Sequence, residues 1–495
     1  MHYLSTRDRT LRYTAAEAIK QGLSRDGGLF LPEEIPALRA GQLEKMASMS
    51  YQERAVEIMS LYLEDFSREE LAAYAAAAYG PEKFDDPAVA PLHTLEGDVH
   101  CLELWHGPTS AFKDMALQML PHLLSASLKK TGEHKTACIL VATSGDTGKA
   151  ALEGFRDVDQ TKILVFYPKD GVSPVQKLQM VTQEGGNVGV CSVIGNFDDA
   201  QTGVKRIFSD EAIRDTLAQR GYFLSSANSI NWGRVLPQIV YYVSLYCDLL
   251  HQGKINQGER VNVCVPTGNF GNILAAYYAK CMGVPLGTLI CASNCNDVLT
   301  EFLWTGVYNR NRVFHTTMSP SMDILISSNL ERLLFALSGG DDAQVRSYME
   351  QLAAEGKYRV GGEMLKKLQD LFWAGSCGEA ETLTTIHRYF EEQNYLIDTH
   401  TAVAANVLAQ YRTETGDMRP AVFASTASPY KFCSHVLEAI GEEPWGEGVE
   451  LLEQLNEASG VKIPERLAAL GRKEVRFTQS TEKQNMDQVV LDYLK

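Results

Sequence analysis

The chain has 495 residues, 45% of them hydrophobic and 22% charged, with a net charge of −16 and an isoelectric point near 5.2. That length exceeds one small domain and supplies apolar material for a large core. The acidic balance argues against nucleic acid or an anionic membrane as the main partner, yet it leaves room for an anionic small molecule at a local cluster of donors.

In chain order, residues 1–90 read as helical after a short extended start. Tyr13-Thr14-Ala15-Ala16-Glu17 is a cap followed by helix formers. Asp26 to Pro32 is a turn running into an extended piece, Glu69 to Tyr79 is an alanine-rich helix, and Pro81 to Pro91 is a boundary loop. Beyond it, strands alternate with helices. Thr136 to Thr143, Lys162 to Pro168, Asn187 to Gly195, Arg260 to Pro266, Leu286 to Ala292 and Ala421 to Ala424 read as buried strands. Helices are expected from Asp198 and from Asn272, and polar helices over Asp341 to Tyr395. The segment after Pro464 gives no clear pattern. Continuous apolar strands between helices predict an α/β fold with parallel sheets covered on both faces, and ligands at the carboxyl ends of the strands. The expected division is an amino-terminal domain over 1–90 and a catalytic region over 91–495, with a smaller mobile subdomain at about 135–215.

Four segments carry chemistry. His106-Gly107-Pro108-Thr109-Ser110-Ala111-Phe112-Lys113-Asp114 places a lysine in a turn beside an aromatic ring. A lysine amine attacks a carbonyl only when uncharged, so burial or a nearby cation must lower its pKa. Gly268-Asn269-Phe270-Gly271-Asn272 follows a strand and opens a helix, which suits one phosphate rather than a dinucleotide. Ser144-Gly145-Asp146-Thr147-Gly148 also joins strand to helix but lacks the spacing of a nucleotide P-loop. Its hydroxyl and backbone donors suit a carboxylate, while Ser144 or Thr147 can equally cap the helix. Thr426 closes a late strand. Together these are the parts needed to hold pyridoxal phosphate: Lys113 for the aldehyde, the glycine loop for the phosphate, Asp146 for the ring hydroxyl and Thr426 for the ring nitrogen.

A fifth segment, Ser225 to Arg234, concentrates amides, hydroxyls and one arginine, a set suited to a tetrahedral oxyanion. By itself it reads sooner as a capped loop with Arg234 in a structural ion pair. His106 reads as a packed or hydrogen-bonded residue rather than a base. The ten cysteines form no C-x-x-C pair and are expected to be reduced thiols in a cytoplasmic protein. No metal-ligand cluster, secretory signal pattern or membrane-length apolar run is present in the sequence.

These segments resemble the threonine synthase family, long microbial and fungal type, within the tryptophan synthase β-like (fold type II) pyridoxal-phosphate enzymes. The resemblance runs from Tyr3-Leu4-Ser5-Thr6-Arg7 and Gln21 to Leu29, through the lysine turn, Ser-Gly-Asp-Thr-Gly and Asn228-Ser229-Ile230-Asn231-Trp232, to Ser319-Pro320-Ser321-Met322-Asp323-Ile324 and Ser328-Asn329-Leu330-Glu331-Arg332. It implies conversion of O-phospho-L-homoserine and water to L-threonine and phosphate. Lys113 is then the catalytic and cofactor-bearing residue. Asp146, Gly268, Asn269, Phe270, Gly271, Asn272 and Thr426 bind the cofactor. Ser144 and Thr147 face the substrate carboxylate, and Asn228, Ser229, Asn231 and Arg234 its phosphate. A monomer without a metal is implied. The late motif departs from the family at Ser428 and Tyr430, where His and Ala are commoner, while Thr426, Pro429, Lys431 and Phe432 remain. A lyase releasing 2-oxobutanoate and ammonia, and a non-catalytic cofactor-binding protein, are the alternatives.

Overall fold

The computed structural model describes residues 1–169 and 172–495, the side chain of Asp198 excepted. Two sheets organise the chain. The larger has the strand order Phe372–Ser376, Leu286–Ser293, Val261–Pro266, Ala421–Ser425, Val99–Glu103, Leu92–Thr94. All its neighbours are parallel except the last pair. The smaller is fully parallel, in the order Ser480–Glu482, Val188–Ile194, Thr161–Pro168, Thr136–Ala142, Tyr222–Ser225. Its central strands are buried almost throughout, which is why they read as unbroken apolar runs instead of alternating ones.

Expected and observed elements agree where the sequence signal is chemical as well as periodic. Thr14 accepts from Glu17 N–H and Glu17 returns the bond, so the helix Ala15–Gln21 starts at a capping box. Ser67 and Glu70 do the same for the helix Arg68–Tyr79. The expected polar helical stretch holds three helices, Asp342–Glu355, Gly362–Leu371 and Glu379–Gln393, but two strands interrupt it. One of these, Phe372–Ser376, is the edge of the large sheet. The uninformative carboxyl end also has a definite role. Ser480–Glu482 adds to the small sheet, and the helix Met486–Tyr493 packs Met486, Val489 and Val490 against that sheet's apolar face. Strands this short carry no period to read. The small sheet thus draws on strands from Thr136 to Ser225 and on the chain's end, beyond the expected 135–215.

The amino-terminal segment is packed against the large sheet's helices. Trp232 is fully buried, and its ring lies 5.7 Å from Tyr3, 5.7 Å from Tyr62 and 5.6 Å from Tyr278. Arg332, also fully buried, donates Nε to Phe30 O at 2.8 Å and Nη2 to Ile230 O at 2.5 Å. The Ser328-to-Arg332 motif therefore joins the amino-terminal strand pair to the loop before the helix Trp232–His251.

His106 ties the boundary loop to the lysine turn. Its ring contacts Asp85 Oδ1 and Glu103 Oε2, each at 2.7 Å, and stacks on Trp105. Burial opposes its charge, but the two carboxylates prevail and raise the imidazole from its ordinary 6.5 to about 9. The group is raised on folding, so its stabilisation is full below about pH 6.5 and disappears as pH climbs through about 9. The urea midpoint of a His106→Asn variant should fall furthest below that of the parent chain near pH 6, with the gap closing by about pH 10. An equal gap at both pH values would remove the ion pair as its cause.

Candidate active site

The lysine turn leaves the end of Val99–Glu103 and is folded by its own last residue. Buried Asp114 accepts from Thr109 N–H and Thr109 Oγ1, both at 2.8 Å. A Cβ at Gly107 would stand 2.5 Å from Asp114 Cβ, so the turn requires glycine there. Across the sheet the chain beyond Ala421–Ser425 is laced onto this turn. Phe112 N–H donates to Thr426 O at 2.8 Å and Ser428 N–H to Ser110 O at 3.1 Å. Lys113 and Thr426, 313 positions apart in sequence, are thereby neighbours.

Charge is concentrated at this point. Lys113 is partly buried, and its Nζ donates to Ser321 Oγ at 3.0 Å. Removal from water lowers the amine from 10.5 to about 8; Asp146 opposes the shift, while the cations Arg234 and Lys431 add to it. Asp146 begins the helix Asp146–Phe155, entered through Gly145 at φ 147°. Its carboxylate lies 3.0 Å from Lys431 Nζ and 2.8 Å from Gln176 Nε2. Burial disfavours its charge, but Lys431 and Lys113 hold it below the usual carboxylate range. Lys431 Nζ also donates to Thr109 O at 3.0 Å and to Gln179 Oε1, although no solvent reaches it.

Ser144 and Thr147 lie on either side of Asp146 where the chain enters its helix. The cap of this loop is Thr143 instead, whose Oγ1 accepts from Gly145 N–H at 3.0 Å and Gly148 N–H at 2.9 Å. Both expected capping side chains, Ser144 and Thr147, are half-buried at the helix entrance.

The glycine loop follows Val261–Pro266 and enters the helix Gly271–Cys281 with Phe270 in the left-handed region at φ 63°. Ser327 Oγ holds Gly268 O at 2.7 Å, and Asn329 donates both its N–H and its Nδ2 to Asn269 O. Among the described residues, no acceptor meets the N–H groups of Gly268, Asn269, Phe270 or Gly271. Asn272 turns its side chain elsewhere: its Oδ1 accepts from Tyr241 and Tyr242 hydroxyls at 2.8 and 2.5 Å. Its part toward an anion is confined to the backbone.

The fifth segment divides. Asn231 caps the helix Trp232–His251 through Gly233 N–H and donates Nδ2 to Ile19 O at 3.0 Å, so its amide is engaged structurally. Asn228 is exposed, and Ser229 offers its carbonyl to Asn329. Arg234 is buried, donates Nη1 to Ala227 O at 2.6 Å, and has no carboxylate partner and an unpartnered Nε among the described residues. Burial lowers its guanidinium from 12.5 to about 10. Ser428 and Tyr430 serve the backbone. The Ser428 hydroxyl accepts from Tyr430 N–H at 3.4 Å, and the Tyr430 hydroxyl donates to Val461 O.

Lys431, Ser321 and His400 were not singled out by the sequence as parts of the site. Lys431 and Ser321 lie in recognised motifs that carry no assigned role for them, and nothing local marks His400. The residues present fit pyridoxal phosphate on structural grounds. An amine with a lowered pKa stands beside Thr426, free N–H groups head a helix, and a Cβ at Gly268 would be 2.6 Å from Ser321 O, so a closely approached glycine cradle is required. Among the described residues, no cluster of His, Cys, Asp or Glu could hold a metal, and no helix is long and apolar enough to cross a membrane.

Comparison with known proteins agrees with this geometry. The family described as "Pyridoxal-phosphate dependent enzyme" matches residues 87–426, with "Threonine synthase N terminus" over 2–79 and "Threonine synthase, C-terminal" over 401–490. Human "Threonine synthase-like 1" is 41% identical over 86% of this chain, but the chain spans only 58% of that relative's length. Schizosaccharomyces pombe threonine synthase is 38% identical over 87% of each chain. The crystal structure of pyridoxal-phosphate-bound threonine synthase from Brucella melitensis superposes with a TM-score of 0.89 at 36% identity, covering both chains fully. The yeast enzyme's structure gives 0.89 at 34%, covering 100% of this chain and 98% of the other. The chain is a member of the threonine synthase family of fold type II pyridoxal-phosphate-dependent enzymes.

Proposed function

We propose that the chain converts O-phospho-L-homoserine and water to L-threonine and phosphate, as a cytoplasmic, metal-independent monomeric lyase. The observation that carries this reading is the Lys113 amine, lowered to about 8, in one cleft with buried Arg234, which has no carboxylate partner among the described residues. A proton-transferring amine and an arginine free for an oxyanion are the two requirements of a reaction that expels phosphate.

Pyridoxal phosphate, when bound, supplies an electron sink for charge developing at the substrate's α-carbon. Lys113 Nζ takes the α-proton and later returns it. The N–H groups of Gly268, Asn269, Phe270, Gly271 and Asn272 would hold the cofactor phosphate at the helix start. The Thr426 hydroxyl would meet the ring nitrogen and leave it less committed to protonation than a carboxylate would. Asp146, fixed by Lys431 and Gln176, would border the ring hydroxyl. Ser144 and Thr147 orient the substrate carboxylate. Arg234 receives the substrate phosphate, with Asn228 and Ser229 at the rim, while Asn231 acts by capping the helix that carries Arg234. One water in place of bulk solvent would have to reach the substrate's β-carbon, so the smaller subdomain, expected at about 135–215 and extended by Tyr222–Ser225 and the carboxyl-terminal strand, closes over the cleft.

The deciding experiment incubates the cofactor-loaded chain with O-phospho-L-homoserine, identifies the product by chiral chromatography and counts released phosphate. L-threonine in step with phosphate is expected; 2-oxobutanoate in its place would make the chain a lyase without water addition. Lys113→Ala should reduce turnover roughly a thousandfold or more. Threonine formation at the parent rate in that variant would overturn the assignment. Arg234→Gln should lower kcat/KM about tenfold to a hundredfold and weaken competition by inorganic phosphate in parallel. Unchanged phosphate inhibition would move the anion site elsewhere.

A further inference from the structure

The motif Ser319-Pro320-Ser321-Met322 contributes no residue to the reaction described above, yet it touches two of its parts. Pro320–Met322 forms one 3-10 turn. From it, Ser321 Oγ accepts from Lys113 Nζ at 3.0 Å. The Ser321 carbonyl faces the glycine loop so closely that a Cβ on Gly268 would lie 2.6 Å from it.

Behind the turn stands a buried pair. His400 Nδ1 lies 2.8 Å from Asp398 Oδ2, and His400 Nε2 accepts from Ser321 N–H at 3.1 Å. His400 is 2% exposed and Asp398 is not exposed at all, so little water competes for either. The Ser321 N–H has no alternative lone pair to offer a donor, so it fixes Nε2 as the acceptor and leaves Nδ1–H for the carboxylate. Asp398 is fixed in turn by the N–H groups of His400 and Thr401 and by Thr401 Oγ1. Each link is a hydrogen bond with one direction.

We infer that Asp398, His400 and Ser321 form a positioning relay that sets the orientation of the Lys113 amine and registers it against the glycine loop. Ser321 acts on Lys113 directly, and His400 and Asp398 act through Ser321. The hydroxyl takes one N–H of the amine and so directs where its lone pair points. The same turn limits how far the phosphate loop can shift. Nucleophile and anion cradle are thereby set from one element.

The inference rests on Lys113 being the cofactor lysine, but its test needs no substrate. The full chain freed of cofactor is treated with an amine-acylating reagent, and modification of Lys113 is followed by peptide mass spectrometry from pH 6 to pH 10. The charges facing this amine are Asp146 on the small-sheet helix, Arg234 on the long helix and Lys431 beyond the late strand, and the variants leave all three in place. A hydroxyl accepting from Nζ favours the ammonium form, so its loss frees more amine at neutral pH. Ser321→Ala should label Lys113 about threefold to tenfold faster at pH 7, with the profile converging on the parent's at high pH. Ser321→Thr, which keeps the hydroxyl, should retain the parent profile.

His400→Asn should move the profile in the same direction, and the double variant should move it no further than Ser321→Ala alone, since the two act in series. Binding of pyridoxal phosphate to the cofactor-free chain, followed by its visible absorption, should slow in Gly268→Ala and His400→Asn alike. If His400→Asn lowers the melting temperature but leaves the labelling profile unchanged, His400 is merely structural and the relay is overturned. A Ser321→Ala profile that coincides with the parent's overturns it equally, and if that variant does not fold, Ser321→Cys takes its place with the same expected direction. Failure of the synthase reading would show in the reaction product instead.

Discussion

Much of the cleft depends on the ammonium of Lys431, which no solvent reaches. An uncompensated charge in such a place is costly, and removing one partner of a buried pair costs on the order of 3–5 kcal/mol. The chain meets this requirement by bringing three separate segments to one nitrogen: Thr109 O from the lysine turn, Gln179 from a small-sheet helix and Asp146 from the start of the helix after Thr136–Ala142. The two sheets are therefore joined through a polar contact at their carboxyl edges. Lys431 itself follows the strand Ala421–Ser425 and Thr426, so the same residue fixes where that threonine lies relative to Lys113.

A second consequence is electrostatic. Asp146 faces both Lys113 and Lys431, buried Asp114 also faces Lys431, and Arg234 has no carboxylate partner among the described residues, so three cations share two carboxylates. The chain as a whole is strongly acidic, yet this cleft is locally cationic. Such a site suits a ligand carrying carboxylate and phosphate groups, and it keeps the Lys113 amine within reach of its neutral form near physiological pH. The cationic cleft persists within an acidic chain because solvent and salt screen the distant surface carboxylates while the buried charges interact at short range.

The supports of the site come from remote parts of the chain. The Ser328-to-Arg332 motif holds the glycine loop through Asn329 and the amino-terminal strands through Arg332. The turn at Ser321 meets His400 from the helix Thr399–Thr415. The last residues complete the sheet that carries Asp146. Rigid elements thus support the reactive groups, which project from the loops at strand ends.

The sequence by itself determined the α/β class, most of the buried strands and the segments that carry the chemistry. Continuous apolar runs, capping boxes and glycine-rich turns are local features, and local backbone physics sets them. It marked Lys113, the Gly268-to-Asn272 loop and Thr426 because each type of residue sits at a strand-to-helix junction. Tertiary structure alone decided the rest. The three-residue strand Ser480–Glu482 is too short to show a period, and pairing with Val188–Ile194 makes it a strand. Asn231 and Asn272 looked available for anions until their amides met Ile19 and the tyrosine pair. Lys431 and Ser321 lie in recognisable motifs and His400 in none, but what each does depends on atoms brought to it from distant segments. A sequence records which groups are present, but only packing decides which of them remain unpartnered for chemistry.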